Sequence, residues 1–107
     1  MKKIMLCCSA GMSTSLLVNK MNAEAAGRQL AVEIAAFSAS EFDQQFPNYH
    51  VVLLGPQIKY MLPALSARAA EKGVPVAAID MMDYGMQRGD KVLDFALALI
   101  ARQGARA

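Results

Sequence analysis

The residues best suited to chemistry are Cys8-Ser9-Ala10-Gly11-Met12-Ser13-Thr14-Ser15. A thiol closes a short apolar run, a small hydroxyl-rich stretch follows, and a helical pattern begins. Such a junction suits a dianionic phosphoryl group. A helix N-terminus leaves several backbone N–H groups unpaired, and those donors attract phosphate together with the positive end of the helix dipole. Gly11 lets the backbone curl close to a ligand, and Ser9, Ser13, Thr14 and Ser15 add hydroxyl donors. The same field favours a thiolate, which is the nucleophilic form of cysteine. Cys8 is therefore the candidate nucleophile and residues 9–15 the candidate phosphate cradle. Position alone leaves open a packed structural thiol. Cys7 points away from Cys8 if the strand continues that far, and reads as buried and inert.

Other phosphate loops do not match. The nucleotide P-loop string G-x-x-x-x-G-K-[ST] is absent, and so is the dinucleotide fingerprint G-x-G-x-x-G. A tyrosine-phosphatase-like loop carries an arginine after five intervening residues. That position is Thr14 counted from Cys8 and Ser13 counted from Cys7. Without the guanidinium, the fork that would stabilise charge on transferring phosphoryl oxygens is missing. No aspartate lies in or just after the loop to act as an acid. A cradle of neutral amides and hydroxyls suits storage of the group better than its hydrolysis.

The elements that must position this loop follow from hydrophobic periodicity. Lys3–Cys8 reads as a first strand. Ser13 or Thr14 is the expected cap of a helix running to about Ala26, with Leu17, Met21 and Ala25 on its apolar face and Gly27 as its stop. Leu30–Phe37 reads as a second strand. Ser40 is the expected cap of a short helix, Glu41–Gln45, which Pro47 ends. Tyr49–Leu54 is a third strand, whose unbroken Val-Val-Leu-Leu run suits burial on both faces. Gly55-Pro56 stops it, and a helix from about Gln57 to Glu71 follows, kinked or restarted at Pro63 and closed by Gly73. Pro75–Ile79 is a fourth strand. Asp80–Gly89 reads as irregular, with Gly85 and Gly89 as breakers. Asp90 is the expected cap of a last helix to about Arg102, with Val92, Ala96, Leu99 and Ile100 inward.

Alternating strands and helices imply one three-layer α/β domain over residues 1–107, with a four-stranded parallel sheet and helices on both faces. The expected strand order is 2-1-3-4. In such sheets ligands sit beyond the carboxyl ends of the strands, where the order reverses, here between strands 1 and 3. Gln57 follows strand 3, while Asp80 and Tyr84 follow strand 4. These three are candidate site-lining residues, and a turn with a packed tyrosine is the alternative for the last two. His50, the single histidine, falls at the opposite end of the sheet and reads as a surface residue. Met5 and Met21 read as core. Met12, Met81, Met82 and Met86 are either core filling or an adaptable docking patch.

Composition narrows the class. The 107 residues carry a net charge of +2, with 55% hydrophobic and 19% charged residues. The bases are scattered rather than striped, which argues against nucleic acid. No apolar run approaches the roughly 20 residues of a membrane span, and the first residues lack a signal-peptide core, so a cytoplasmic protein without direct membrane insertion is expected. Adjacent cysteines rarely bridge each other. One histidine and no C-x-x-C pair argue against a metal site, and no cofactor is implied.

Beside this reading stands a resemblance covering nearly the whole chain. Cys8-Ser-Ala-Gly-Met-Ser-Thr-Ser-Leu-Leu-Val18, Val51-Val-Leu-Leu-Gly-Pro-Gln-Ile58, Tyr60-Met-Leu-Pro63 and Ile79-Asp80 with Tyr84-Gly85 resemble the IIB component of the lactose/cellobiose class of the sugar phosphotransferase system (PTS), near the cellobiose or N,N′-diacetylchitobiose type. The resemblance implies a fold of the low-molecular-weight phosphatase type. It also implies a phosphoryl carrier whose Cys8 accepts phosphate from a phosphohistidine on the IIA protein. The phosphate then goes to a sugar, such as a β-linked disaccharide, entering through the membrane IIC permease. The Cys-Ser-Ala-Gly register assigns the family's cysteine to Cys8. Cys7 falls where the family usually has an apolar residue. The competing reading is a small cysteine phosphatase or arsenate-reductase-like enzyme.

Overall fold

The computed structural model describes residues 1–9 and 12–106, and the side chains of these except 12–13 and 103–106. Four strands form a parallel sheet: β1 (Lys2–Cys8), β2 (Val32–Ser38), β3 (Val51–Leu54) and β4 (Val76–Ala78). Their order is β2-β1-β3-β4, as the alternation of elements predicts. β1 is central, with Cys7 opposite Leu54 on one side and Phe37 on the other. Ile4–Cys8 and all four residues of β3 are buried. Continuous apolar sequence is what a strand covered on both faces requires.

Two cores flank the sheet. Helices α1 (Met12–Gly27) and α5 (Gly89–Arg106) cover one face, where Leu17, Met21, Val92, Leu93 and Ala96 pack on Ile4, Leu6 and Leu53. Helices α2 (Phe42–Gln45) and α3 (Leu62–Ala70) cover the other, where Phe42, Phe46, Leu65 and Ala69 pack on Met5, Val52 and Leu54. A short helix α4 (Met81–Gly85) follows β4 at the carboxyl end of the sheet.

Several element ends differ from the sequence expectation, each for a local reason. α1 begins at Met12, so Ser13 and Thr14 lie within its first turn instead of capping it. Ser38, not Ser40, opens the segment after β2, and its N–H donates to the Glu41 carboxylate at 3.2 Å. The stretch after Gly55 is a 3₁₀ turn, Pro56–Met61, and α3 starts afresh at Leu62 with Pro63 in its first turn, the restart rather than the kink of the two expected alternatives. Asp80–Gly89 is not irregular throughout, because the Asp80 carboxylate accepts from Met82 N–H at 2.9 Å and Asp83 N–H at 3.1 Å and so caps α4. Asp90 lies inside α5, one residue past its start.

The helix stops are the clearest departure. Gly27 remains helical, and the left-handed residue is Gln29, with φ 58°. Leu30 N–H donates to Ala25 O and Gln29 N–H to Ala26 O, a Schellman closure. Gln87, with φ 52°, ends α4 in the same way, through Arg88 N–H to Asp83 O and Gln87 N–H to Tyr84 O. Among the described residues only Gly73, with φ 73°, occupies this position as a glycine. A non-glycine residue there is strained by about 1–2 kcal/mol, partly offset by the greater unfolded-state entropy of glycine. Gln29→Gly is therefore expected to stabilise the protein by about 0.5–1 kcal/mol. A urea unfolding midpoint that rises at unchanged slope would bear this out.

Candidate functional site

The parity of β1 decides which thiol faces which core. Ile4 and Leu6 belong to the α1/α5 face, and Met5 and Cys7 to the α2/α3 face, so period-2 alternation puts Cys8 under the start of α1. The inward stripe of α1 runs Thr14, Leu17, Met21, Ala25, at helical spacing. Its first member is a hydroxyl. Thr14 is fully buried, the sole buried polar side chain among the described residues, and Cys8 is 2% exposed. Cys8 Sγ and Thr14 Oγ1 are 3.1 Å apart. Ser9 and Ser15 are exposed on either side of the junction. The first turn of α1 holds no acidic residue, so no carboxylate there opposes an anion. Ala10 and Gly11, and the side chains of Met12 and Ser13, lie outside the described residues.

The remaining predicted site residues divide into two groups. Gln57 and Tyr84 come together: Gln57 Nε2 donates to Tyr84 Oη at 3.4 Å. Both approach Gly55, whose backbone N–H donates to Cys7 O at 2.8 Å and ties β3 to the end of β1. Asp80 belongs to the same end of the sheet, but its carboxylate is spent on the α4 cap. His50 stands at the other end, where its Nδ1 accepts from Lys3 N–H at 2.8 Å. Met5 and Met21 are core, whereas Met81, Met82 and Met86 are exposed. A cavity of about 460 Å³ lies beyond β4, lined by Pro56, Lys59, Ile79, Asp80, Met81 and Phe95 among others.

Thr14 as the partner of Cys8 is the residue whose role the sequence reading missed. The available signal was its place on the same stripe as Leu17 and Met21, which a capping role obscured. Cys7 behaves as expected of a buried thiol. It is fully buried, its Sγ–H donates to Ser38 O at 3.7 Å, and its pKa is pushed up to about 12 by burial first, then by Cys8 and Glu41. Among the described residues no three His, Cys, Asp or Glu side chains gather as a metal set, and no helix is long and apolar enough to cross a membrane.

Fold and site together define a class: a three-layer α/β domain with a cysteine at the switch point of its sheet, facing a helix N-terminus. Residues 3–95 match the family model for the PTS system, Lactose/Cellobiose specific IIB subunit. Over 97 residues the chain is 47% identical to the cellobiose-specific EIIB component of Lactococcus lactis subsp. lactis, covering 86% of this chain and 90% of that protein. The identity and coverage are the same for the galactose-specific EIIB component of Lactococcus lactis subsp. cremoris. The solution structure of the cellobiose-specific IIB protein of Borrelia burgdorferi superposes with a TM-score of 0.81 at 32% identity, over 95% of this chain and 94% of that one. The chain belongs to the lactose/cellobiose-specific IIB family, the sugar-specific phosphotransferase components of PTS sugar uptake. Its fold is the low-molecular-weight phosphatase-like one of that family.

The Cys7 environment sets a pH dependence. The thiol titrates near 9.0 in its ordinary state and near 12 in the fold. Above pH 9 the unfolded chain releases this proton while the folded chain keeps it, so the contribution is complete below pH 9 and is lost as pH rises toward 12. The unfolding free energy should fall by up to about 1.4 kcal/mol per pH unit in that window from this group. Cys7→Ala should flatten the alkaline limb in denaturant titrations between pH 8 and pH 10.5, and an unaltered limb would refute the assignment.

Proposed function

We propose that this protein is the phosphoryl carrier of its uptake system, with Cys8 as the acceptor. The observation that carries the reading is the buried Cys8–Thr14 contact at the head of a 16-residue helix. In this reading the Cys8 thiolate attacks the phosphorus of a phosphohistidine on the IIA protein in line. The S–P bond forms as the P–N bond breaks, and its electron pair stays on the imidazole nitrogen. In the second step a hydroxyl oxygen of the sugar passing through the IIC permease attacks phosphorus. The P–S bond breaks, the thiolate is restored, and the hydroxyl proton goes to solvent or to a base of the partner. Little covalent work falls to the protein, so positioning and electrostatics dominate. Main-chain amides of residues 9–15, with the hydroxyls of Ser9, Ser13 and Ser15, are the proposed cradle.

A thiolate has no proton, so the Thr14 hydroxyl is the donor; its bond stabilises charge on sulfur and so assists the second step, in which that thiolate is the leaving group. A β-linked disaccharide such as cellobiose or diacetylchitobiose is the proposed substrate, by the resemblance to cellobiose-specific relatives. The proposed location is the cytoplasmic side of the membrane, where such a carrier meets IIA. A phosphatase reading is disfavoured because no arginine precedes Arg28, leaving no guanidinium in the loop to support hydrolysis.

Mass spectrometry after mixing with phosphoenolpyruvate and the upstream carrier proteins tests the proposal. Wild type and Cys7→Ser should gain one phosphoryl group, and Cys8→Ser none. A phosphoryl group retained in Cys8→Ser would end the assignment. Thr14→Val should slow transfer about 10- to 100-fold, the worth of a hydrogen bond to a charged group, with Thr14→Ser near wild type in quench-flow assays. Met82 is 62% exposed at this end of the sheet, and Met82→Glu should slow transfer from IIA while leaving the unfolding midpoint in place, if the exposed methionines receive a partner.

A further inference from the structure

Gly55 is the point at which three side chains converge. A β-carbon on it would lie 3.5 Å from Cys8 Cβ, 3.5 Å from Tyr84 Cε2 and 2.7 Å from Gln57 Oε1. Its bare Cα therefore leaves a gap too small for a methyl group unless Gln57 shifts, bounded by Cys8, the Tyr84 ring and the Gln57 carboxamide. The ring is firmly held. It is buried in the same core as Ile4 and Leu6, its phenol oxygen accepts from Gln57, and it rides on a helix whose start is fixed by the Asp80 cap.

We propose that Tyr84, steadied by Gln57, is a positioning residue for Cys8: its ring closes the β3 side of the thiol across Gly55 and leaves Sγ directed at Thr14 and the head of α1. A cysteine side chain has three staggered χ1 wells. A sulfur that swung toward Gly55 would give up the Thr14 hydroxyl and turn away from the helix N-terminus. With the ring in place the space there is too small to draw it; with the ring removed the gap opens to several methyl groups. A displacement of about 1 Å at a reacting atom costs on the order of 100-fold in rate, so a wall that touches no phosphoryl group still governs transfer. The consequence for transfer rests on the carrier reading; the direction of the thiol does not.

The test uses the full chain and two measurements. The first is the rate of Cys8 alkylation by iodoacetamide, followed by mass spectrometry, with Cys7 as the internal control for loss of fold. The second is phosphoryl transfer from IIA. Tyr84→Ala should raise Cys8 alkylation and lower transfer, each by about 10-fold or more, while Cys7 stays unmodified. Tyr84→Phe keeps the ring and should stay within about threefold of wild type in both. Gln57 is exposed, so Gln57→Ala leaves the core intact, and it should move both rates in the direction of Tyr84→Ala by about threefold. Rates within twofold of wild type in folded Tyr84→Ala would overturn the proposal. So would Cys7 and Cys8 becoming reactive together in Tyr84→Ala while Gln57→Ala changes nothing, since that pattern means packing alone. If wild type takes up no phosphoryl group the carrier reading fails, and the alkylation contrasts still decide whether Tyr84 orients the thiol.

Discussion

A hydroxyl buried 3.1 Å from a sulfur, between the end of β1 and the first turn of α1, is the contact on which the organisation of this end of the molecule depends. Burying a polar group in apolar surroundings is costly unless it is hydrogen-bonded. Thr14 meets that requirement through Cys8, and the surrounding core holds the pair in place. β1 is locked between β2 and β3, and α1 is pressed onto the sheet by Leu17, Met21 and Ala25. The hydroxyl stands at the head of that stripe, so the packing that fixes the helix also sets the distance between Thr14 and the thiol.

The same strand separates two chemically identical side chains. Cys7 and Cys8 are adjacent, yet the two-residue period of a strand sends one into each core. Cys7 meets a backbone carbonyl and apolar neighbours, and burial first, then Cys8 and Glu41, push its pKa up to about 12. Cys8 meets a hydroxyl and a helix N-terminus. A one-residue slip of β1 would exchange these environments, but its ladders to β2 and β3 and the Gly55 N–H bond to Cys7 O oppose any slip.

Much of this was legible in the sequence. Strand order, the layers and the location of the switch point follow from alternating element types, and the opposed directions of the two cysteines follow from strand parity. The helix ends were harder to read. Gly27 and Gly85 each stand two residues before the true left-handed position, which a glutamine occupies in both cases. Glycine prefers that conformation but does not compel it, and the closure depends on which backbone N–H groups reach back to the final turn. The capping role offered for Thr14 was misplaced for a similar reason. A hydroxyl near a helix start is ordinarily a cap, and only the packed sulfur six residues earlier shows otherwise. Gln57 and Tyr84 were placed at the correct edge, but their meeting across Gly55 depends on tertiary spacing that no local pattern encodes.

The character of the site also bears on why relatives of equal identity carry different sugar names. The chain is as similar to a cellobiose-specific component as to a galactose-specific one. The described surroundings of Cys8 are the Thr14 hydroxyl and the first turn of α1, with Tyr84 and Gln57 gathered about Gly55, groups suited to act on a sulfur and on a phosphoryl group. In the carrier reading the thiol sees each sugar only as a hydroxyl oxygen approaching phosphorus in line, so changing the sugar asks nothing new of β1 or α1. Selection among sugars then falls to whatever holds the rest of the sugar at that moment, and the demands on this domain reduce to keeping one thiol in one direction. The rigid elements at this end of the sheet, from the Asp80 cap through Tyr84 to Gly55, suit that demand.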